Sequence, residues 1–427
     1  MEARFVFMAV TLRPNRRLVL GFDYEIFRTG RIGLMNPADH TPPISLDAPQ
    51  GVLKHMLDDA LSLVNMETYS FDKPALDEGL EGLLGLVDKR LGAPDEQERF
   101  SGGENGDVVV RTYRGTAPGR VVIAGHYDTV WPAGTVAAWN PPPHEDPRER
   151  LSGPGLFDMK IGLTQGIWAL KLLRDASLPH PDVTYIFNGD EEIGSPASQH
   201  IIEDATRGAD AAFVLEASVD GNVKVARKGI GDITVTATGI EAHAGLEPEK
   251  GASAIIALME FCLEAAKLGD AAKGTTVNVG VITGGSGANV VAGTASAKID
   301  VRHWIPEETK RIDAALATIT PTDPRVSISV TSSWNRPPMQ HTAGTEALFQ
   351  ILKTQASRLG HDGLEGIAVG GGSDANFISA IGVPVVCGLG AGGAGAHARY
   401  EYIYPDSVPF FTALLANAVA SINGPIL

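Results

Sequence analysis

Three adjacent acidic side chains, Asp190, Glu191 and Glu192, follow directly after the apolar run 183–187. A short apolar run that ends in Asn-Gly and charge is typical of a buried strand delivering side chains at its carboxyl end. In open α/β sheets, ligands bind at that end of the strands. Neighbouring carboxylates repel one another, so solvent or bound cations must offset their charge. The triplet alone leaves two interpretations open, a solvated acidic turn and a cation site.

A histidine and two more carboxylates stand at similar places in the chain. His126 and Asp128 follow the predicted strand 121–124, and their spacing of two puts them on one face of extended backbone. A metal-binding histidine commonly donates its other ring N–H to a carboxylate, so Asp128 is placed to orient His126. The alternative is a histidine simply hydrogen-bonded at a strand end. Asp158 stands just before the predicted helix 161–174, where it could cap the helix, bind a metal, or do both.

Six possible metal ligands therefore stand at strand ends or at the starts of loops, namely His126, Asp158, Glu191, Glu192, Glu216 and His397. Carboxylates with imidazoles suit zinc, and also manganese or cobalt, whereas calcium prefers oxygen ligands alone. Five ligands satisfy two ions if one carboxylate bridges them, and the sixth carboxylate is then free as a general base. Two ions ~3.5–4 Å apart hold a water, lower its pKa and polarise a carbonyl oxygen.

Strands and helices alternate around these residues, which predicts an α/β catalytic domain built from segments 45–226 and 339–427. Between these segments, residues 227–338 follow the order strand, helix, strand, strand, helix, strand, which predicts an inserted ferredoxin-like module. A chain of 427 residues is too long for one ordinary core. Residues 1–44 lack the unbroken apolar segment of a signal peptide, and we interpret them as a tail that is either disordered or not native.

Composition excludes several classes of partner. The net charge of −16 disfavours nucleic acid and anionic membrane surfaces. No stretch approaches the ~20 apolar residues needed to cross a bilayer. Two cysteines, Cys262 and Cys387, cannot build a disulfide framework or a thiolate zinc site. We expect a cytoplasmic protein and leave a periplasmic or secreted location open.

The motifs of the chain together resemble those of the M20 family of metallopeptidases, closest to its glutamate carboxypeptidase branch. They occur in family order over about residues 45–425 and comprise GHYDTV (125–130), GPGLFDMKIG (153–162), NGDEEIGS (188–195), LEAS (215–218), GIEAHAG (239–245), GANVVAGTASAKIDVR (287–302), GGGSDAN (370–376) and GAHARYEY (395–402). The resemblance implies a phosphorylase/hydrolase-like α/β catalytic domain with a mixed, mostly parallel sheet. It also implies that the inserted module is a lid and dimerisation domain.

The resemblance assigns the metal ligands position by position. It implies that Asp158 bridges two divalent ions, most simply zinc, with cobalt or manganese as alternatives. His126 and Glu216 match the ligands of one ion, and Glu192 and His397 match the ligands of the other. Neighbours on extended backbone face opposite ways, so Glu192 and the residue before it cannot both point at one metal. A division into one ligand and one base fits that geometry.

The resemblance also implies catalytic roles for three residues outside the ligand set. Glu191 matches the general base, which passes a proton from water to the leaving nitrogen. Asp128 matches the partner that orients the first histidine. His243 matches a lid histidine that reaches the partner subunit's active site in dimeric members and helps stabilise the oxyanion. The alternative for His243 is a cap on the turn before Gly245.

Three further residues match substrate-binding positions of the lid. Asn289 and Arg302 match residues that contact substrate or brace the site. Arg336 matches, more weakly, an arginine that binds the terminal carboxylate of the substrate, since a bidentate arginine is the expected carboxylate clamp. Its alternative is an ion pair with a surface carboxylate.

The expected activity is hydrolysis of a peptide or N-acyl amino acid that carries a free carboxylate, with release of a C-terminal amino acid such as glutamate. We expect a homodimer formed through the lid. An aminoacylase or dipeptidase of the same family is the first alternative. A metal-free binding or scaffold protein is the second, and the complete ligand set argues against it. A nucleotide-binding protein is disfavoured because no G-x-G-x-x-G follows the first strand.

Overall fold

The computed structural model describes residues 42–426, so most of the predicted tail lies outside the described part. Its α-helices are α1 (Asp47–Gly51), α2 (Leu53–Val64), α3 (Lys73–Leu91), α4 (Ile161–Asp175), α5 (Gln199–Thr206), α6 (Ala254–Ala266), α7 (Glu308–Leu316), α8 (Ala343–Arg358), α9 (Ala375–Ala380) and α10 (Val408–Ala420). Its strands are β1 (Glu96–Phe100), β2 (Val108–Tyr113), β3 (Arg120–His126), β4 (Leu151–Ser152), β5 (Asp182–Asn188), β6 (Ala211–Val214), β7 (Val223–Arg227), β8 (Gly229–Thr238), β9 (Ala242–His243), β10 (Thr276–Gly284), β11 (Val290–Val291), β12 (Thr294–His303), β13 (Ser327–Arg336), β14 (Gly366–Val369), β15 (Val385–Cys387), β16 (Gly393–Ala394) and β17 (Tyr402–Ile403).

Eight strands form the central sheet in the order β1-β2-β5-β3-β6-β15-β7-β14. The pairs β5–β3, β3–β6, β6–β15 and β7–β14 are parallel. The pairs β1–β2, β2–β5 and β15–β7 are antiparallel. The sheet is therefore mixed with a parallel centre, which confirms the predicted fold class.

Alternate side chains of β3 enter two apolar cores on opposite faces of this sheet. Val121 and Ile123 pack with residues of α3, α4, α8 and α10. Val122 and Ala124 pack with residues of α5 and α9. Because side chains alternate along a strand, a strand covered on both faces must be apolar throughout. This burial fixes the register of the central strands, and with it the residues at their ends.

A second, four-stranded antiparallel sheet has the order β10-β12-β8-β13. Ile233, Val235 and Ala237 on β8 pack with the apolar faces of α6 and α7. Apart from the two-residue strands β9 and β11, which pair with each other, the chain order is β8, α6, β10, β12, α7, β13. This order confirms the predicted ferredoxin-like module, while the boundaries at 227 and 338 stay predictions.

The chain passes from the central sheet to the four-stranded sheet after β7 and returns after β13. The backbones of these two connections are hydrogen-bonded to each other. Arg227, the last residue of β7, exchanges two backbone hydrogen bonds with Met339, both 3.0 Å long. The sequence predicts the strand 325–330, but β13 continues as far as Arg336 and ends next to this ladder. Within residues 42–426, no helix is long and apolar enough to cross a membrane.

Candidate metal centre and active site

Three neighbouring strands of the central sheet end at one edge, and each leads to a predicted ligand. His126 ends β3 and pairs in register with Asn188, which ends the parallel strand β5. The acidic turn with Glu191 and Glu192 follows β5 directly. Glu216 follows the end of β6, the other parallel neighbour of β3. The parallel pairing therefore gathers residues that are far apart in the sequence.

Asp158 lies between the two predicted ligand histidines. Its Oδ1 atom is 3.2 Å from His126 Nε2, and its Oδ2 atom is 3.6 Å from His397 Nε2. His397 Nε2 is also 2.9 Å from Glu192 Oε2, and His126 Nε2 is 3.9 Å from Glu216 Oε1. One carboxylate thus faces both imidazoles through separate oxygens, as a bridging ligand would.

The donor atoms of this cluster are close enough to share cations. One atom each from His126, Asp158 and Glu192 lies within 4.8 Å of the other two, and the same holds for His126, Glu191 and Glu216. Zinc–ligand distances of about 2.0–2.2 Å put two ligands of one ion roughly 3–4 Å apart. Imidazole nitrogens and carboxylate oxygens at this spacing fit divalent metal ions.

Asp128 is fully buried and connects the first histidine to the acidic turn. Its Oδ1 atom lies 3.3 Å from His126 Nδ1, and its backbone carbonyl lies 3.0 Å from the same nitrogen. The carboxylate also accepts the backbone N–H groups of Glu191 and Glu192, both at 3.2 Å. Ser70, which the sequence analysis does not single out, donates its hydroxyl to Asp128 at 2.8 Å. One carboxylate thus holds both the ligand ring and the turn.

The model of peptidase family M20/M25/M40 matches residues 122–421, a span that contains the whole cluster. This chain belongs to peptidase family M20/M25/M40. It is therefore a hydrolase, and the cluster offers donor atoms of the kind and spacing that divalent metals could use.

Similar proteins agree with membership of the M20/M25/M40 family. Carboxypeptidase G2 of Pseudomonas sp. (strain RS-16) is 28% identical over 361 residues, which cover 81% of this chain and 84% of that protein. The M20 family metallo-carboxypeptidase Sso-CP2 from Sulfolobus solfataricus has a similar fold, with a TM-score of 0.65 and 19% identity over 85% of this chain and 98% of that one. The dipeptidase Dug1p from Saccharomyces cerevisiae is similar in fold too, with a TM-score of 0.66 and 14% identity over 88% and 97% of the two chains.

Burial opposes ionisation of the two glutamates in the acidic turn of this M20/M25/M40 member. Burial raises the pKa of Glu191 well above its usual value, against the opposing charge of Arg336. Burial also raises the pKa of Glu192 to about 7, although a hydrogen bond with His397 opposes it. Buried carboxylates this close resist ionising together, and a bound cation relieves that repulsion.

Neighbouring carboxylates raise the pKa of both predicted ligand histidines. The hydrogen bond with Glu192 raises the pKa of His397 to about 9. Burial works to lower the pKa of His126, but hydrogen bonds with Asp128 and Asp158 outweigh it and raise that pKa. His397 has a backbone φ of +62°, in the left-handed region. Both rings are thus held by anions that favour positive charge.

Arg336 lies behind the predicted base, buried to 3% exposure. Its Nη2 atom donates to Glu191 Oε1 at 2.9 Å and to the Ser195 hydroxyl at 3.0 Å. Its Nη1 atom donates to Asp374 at 3.0 Å. The arginine is therefore not in a surface ion pair, and its contact with a substrate carboxylate stays a prediction.

Arg227 is a second buried arginine at the cluster, and the sequence analysis does not single it out. Its Nη2 atom lies 3.5 Å from Glu216 Oε2, and Nη1 donates to the carbonyls of Gly371 and Gly372. Each of the two connections between the sheets therefore carries an arginine that pairs with a glutamate of the cluster. The signal in the sequence is a charged residue ending a strand whose five residues are all buried.

His243 and Asn289 lie together next to the pair β9–β11, whereas Arg302 lies near the opposite end of β12, where it pairs in register with Ile230. His243 is exposed, and its Nδ1 atom accepts the backbone N–H groups of Gly245 and its neighbour at 3.1 and 3.2 Å. The Asn289 carbonyl accepts the N–H of the residue after His243 at 2.9 Å, and Arg302 pairs with Asp300 at 2.8 Å. In the part of the chain that the structure describes, none of the three forms an ion pair with the cluster, so their catalytic and substrate roles stay predictions.

Proposed function

We propose that this chain is a di-zinc hydrolase that cleaves the amide bond of a peptide or N-acyl amino acid carrying a free carboxylate. We also propose that it releases a C-terminal amino acid such as glutamate. The observation that carries the proposal is the position of Asp158 between His126 and His397, with Glu191 beside the cluster. The similarity to a carboxypeptidase supports cleavage next to a terminal residue.

The residues divide into two ligand sets and one base. His126, Glu216 and Asp158 would hold one ion, and His397, Glu192 and Asp158 would hold the other. When bound, such a pair of ions lowers the pKa of a water and polarises the scissile carbonyl.

Glu191 is placed to move the proton in this scheme. It lies within 4.8 Å of the donor atoms of His126 and Glu216, and Arg336 holds its carboxylate from behind. A carboxylate fixed in this way takes a proton from the attacking water and passes it to the leaving nitrogen. Asp128 keeps the His126 ring and the Glu191 backbone in place throughout.

We further propose that two copies associate through the ferredoxin-like module. Ile256, Met259 and Leu263 form an exposed apolar row along one face of α6, with exposures of 54, 48 and 66%. β10 is an edge strand of the adjoining sheet, and Val281 and Ile282 on it are about half exposed. An apolar row beside an unpaired strand edge fits a self-complementary two-fold contact.

A panel of substrates with and without a chelator tests the proposed activity. We expect release of glutamate from N-acyl-glutamate, loss of turnover after chelation, and recovery when zinc is added. Metal analysis should find two equivalents per chain. Hydrolysis of dipeptides with a free amine and not of N-acyl amino acids would instead support the dipeptidase alternative. Dug1p, a protein of similar fold, is a dipeptidase. No metal uptake and no turnover would support a scaffold.

A further inference from the structure

Glu401 is a fully buried glutamate outside the ligand set. Its Oε1 atom accepts hydrogen bonds from the backbone N–H groups of Phe157 at 2.9 Å and Asp158 at 3.1 Å. Its Oε2 atom accepts from the N–H of Gly155 at 3.0 Å and from the indole N–H of Trp131 at 2.9 Å. All four contacts are N–H donors, which match the acceptors of a carboxylate and leave an acid proton without an acceptor.

Three of these donors belong to the turn that carries the bridging carboxylate. Asp158 lies in the helical turn Leu156–Lys160, but its own backbone, with φ of −120° and ψ of 92°, is not helical. The first amides of a helix have no partner within the helix. Glu401 supplies that partner, and hydrogen bonds to a charged acceptor are roughly twice as strong as neutral ones.

Glu401 itself belongs to the segment that carries the ligand of the second ion. Its backbone N–H donates at 2.9 Å to the carbonyl of Ala398, the residue directly after His397. The Ser152 hydroxyl donates at 2.6 Å to the Glu401 carbonyl. The His397 side chain is 54% exposed, so the backbone of this segment largely determines where its ring lies. Glu401 therefore links the His397 segment to the Asp158 turn.

We propose that Glu401 is a positioning residue that fixes the distance between Asp158 and His397 and so pre-forms the second metal site. This inference rests on the proposed two-metal function, because it takes Asp158, Glu192 and His397 to bind one ion. Groups that orient metal ligands influence affinity without touching the ion. Glu401 would do so through the backbone of one ligand and the chain segment of the other.

Glu401→Gln tests this role with the smallest change in shape. The amide has one acceptor oxygen and one NH₂ donor, so in either orientation two of the four N–H groups lose their acceptor. Trp131→Phe is the milder variant, because it removes one donor and keeps an aromatic ring.

Calorimetric titration of the metal-free protein with Zn²⁺ measures the expected effect. The unaltered chain should take up two equivalents. Glu401→Gln should bind the second ion about 10–100-fold more weakly. The first ion shares Asp158 but not His397, so its affinity should fall by less. Trp131→Phe should weaken the second site by less than Glu401→Gln does. The absorption spectrum of Co²⁺ in the second site should change in both variants, since it reports ligand geometry independently of turnover.

Glu308→Gln is the matched control for general loss of stability. Glu308 is also buried, at 3% exposure, and it accepts hydrogen bonds from Thr275 at 2.8 Å and from Arg311 at 2.6 Å in the ferredoxin-like module. The same substitution there should lower the thermal midpoint and leave both metal affinities unchanged. If Glu401→Gln does not fold, Trp131→Phe alone decides the question.

The outcomes separate this inference from the proposed function. Two equivalents in the unaltered chain, with second-site affinity unchanged in the variants, overturn the role of Glu401 and leave the proposed function standing. No metal uptake by the unaltered chain overturns both.

Discussion

Arg336 Nη2 lies 2.9 Å from Glu191 Oε1, so a buried guanidinium is paired with the proposed general base. The other terminal nitrogen of Arg336 is bound to Asp374 at 3.0 Å. Because Glu191 and Asp374 already bind the two terminal nitrogens of the guanidinium, few N–H donors remain for a third anion. The pair favours a role for Arg336 in holding Glu191 over the predicted role as a clamp on substrate.

Arg336→Lys separates these two roles. A lysine keeps the positive charge but cannot bind Glu191 and Asp374 through a planar fork. We expect kcat to fall about 10–100-fold, as displacement of a catalytic group by roughly 1 Å does, with little change in KM. Arg302→Lys is the comparison on the lid, where we expect mainly a higher KM. A raised KM with unchanged kcat in Arg336→Lys would instead support the predicted role of Arg336 in binding the substrate carboxylate.

Glu191→Gln should bind metal normally and lose turnover. The amide cannot accept a proton, and removal of a general base lowers rates about 10²–10⁴-fold. The ligands His126, Asp158 and His397 are untouched, so zinc content should stay at the level of the unaltered chain. Steady-state kinetics and metal analysis on the same sample check both parts. Near-normal turnover would assign the base elsewhere.

Glu308 should make folding stability depend on pH. The hydrogen bond from Arg311 lowers the pKa of Glu308 from 4.5 to about 2. A lowered pKa means that the stabilisation is complete above the unfolded value of 4.5 and is lost as the pH falls toward 2. The difference in unfolding free energy between the unaltered chain and Glu308→Gln should therefore shrink by about 1 kcal/mol between pH 7 and pH 3.5.

Urea unfolding of metal-free protein at the two pH values measures that difference. Metal-free samples are needed because ligand protonation would otherwise dominate the comparison. A difference that stays constant or grows at pH 3.5 contradicts the lowered pKa.

Leu263→Glu should separate the proposed dimer. Leu263 is 66% exposed on the apolar face of α6, and a charge at a two-fold contact meets its own copy or lies close to it. Light scattering coupled to gel filtration should report half the mass of the unaltered chain. Phe71→Glu is the control, since Phe71 is 71% exposed on the catalytic part. Equal masses for all three proteins would locate any association elsewhere.

The strands that lead to the cluster can be predicted from the sequence because they are buried on both faces. The predicted strands 121–124 and 183–187 lie within β3 and β5, and each extends by only one or two residues at its ends. Residues that follow such strands are fixed by register, so the gathering of His126, Glu191 and Glu192 could be expected from the sequence.

Other parts of the structure leave no such pattern. β1 is an exposed edge strand of sequence EQERF, so no apolar alternation marks it. β7 is buried, but Lys224 and Arg227 within it break the apolar run. The pairing of Arg336 with Glu191 joins residues 145 positions apart, and a side-chain contact of that kind depends on tertiary packing and not on local sequence.

The left-handed backbone at His397 has a consequence for the relation between folding stability and metal binding. A residue with a Cβ atom in that conformation costs roughly 1–2 kcal/mol, and glycine escapes most of the penalty. His397→Gly should therefore give a metal-free protein that withstands more urea than its parent, while the second zinc equivalent disappears from a calorimetric titration. If so, a form of the metal-free protein that cannot hold the second ion is more stable than its parent, because the His397 imidazole costs folding stability in this backbone conformation.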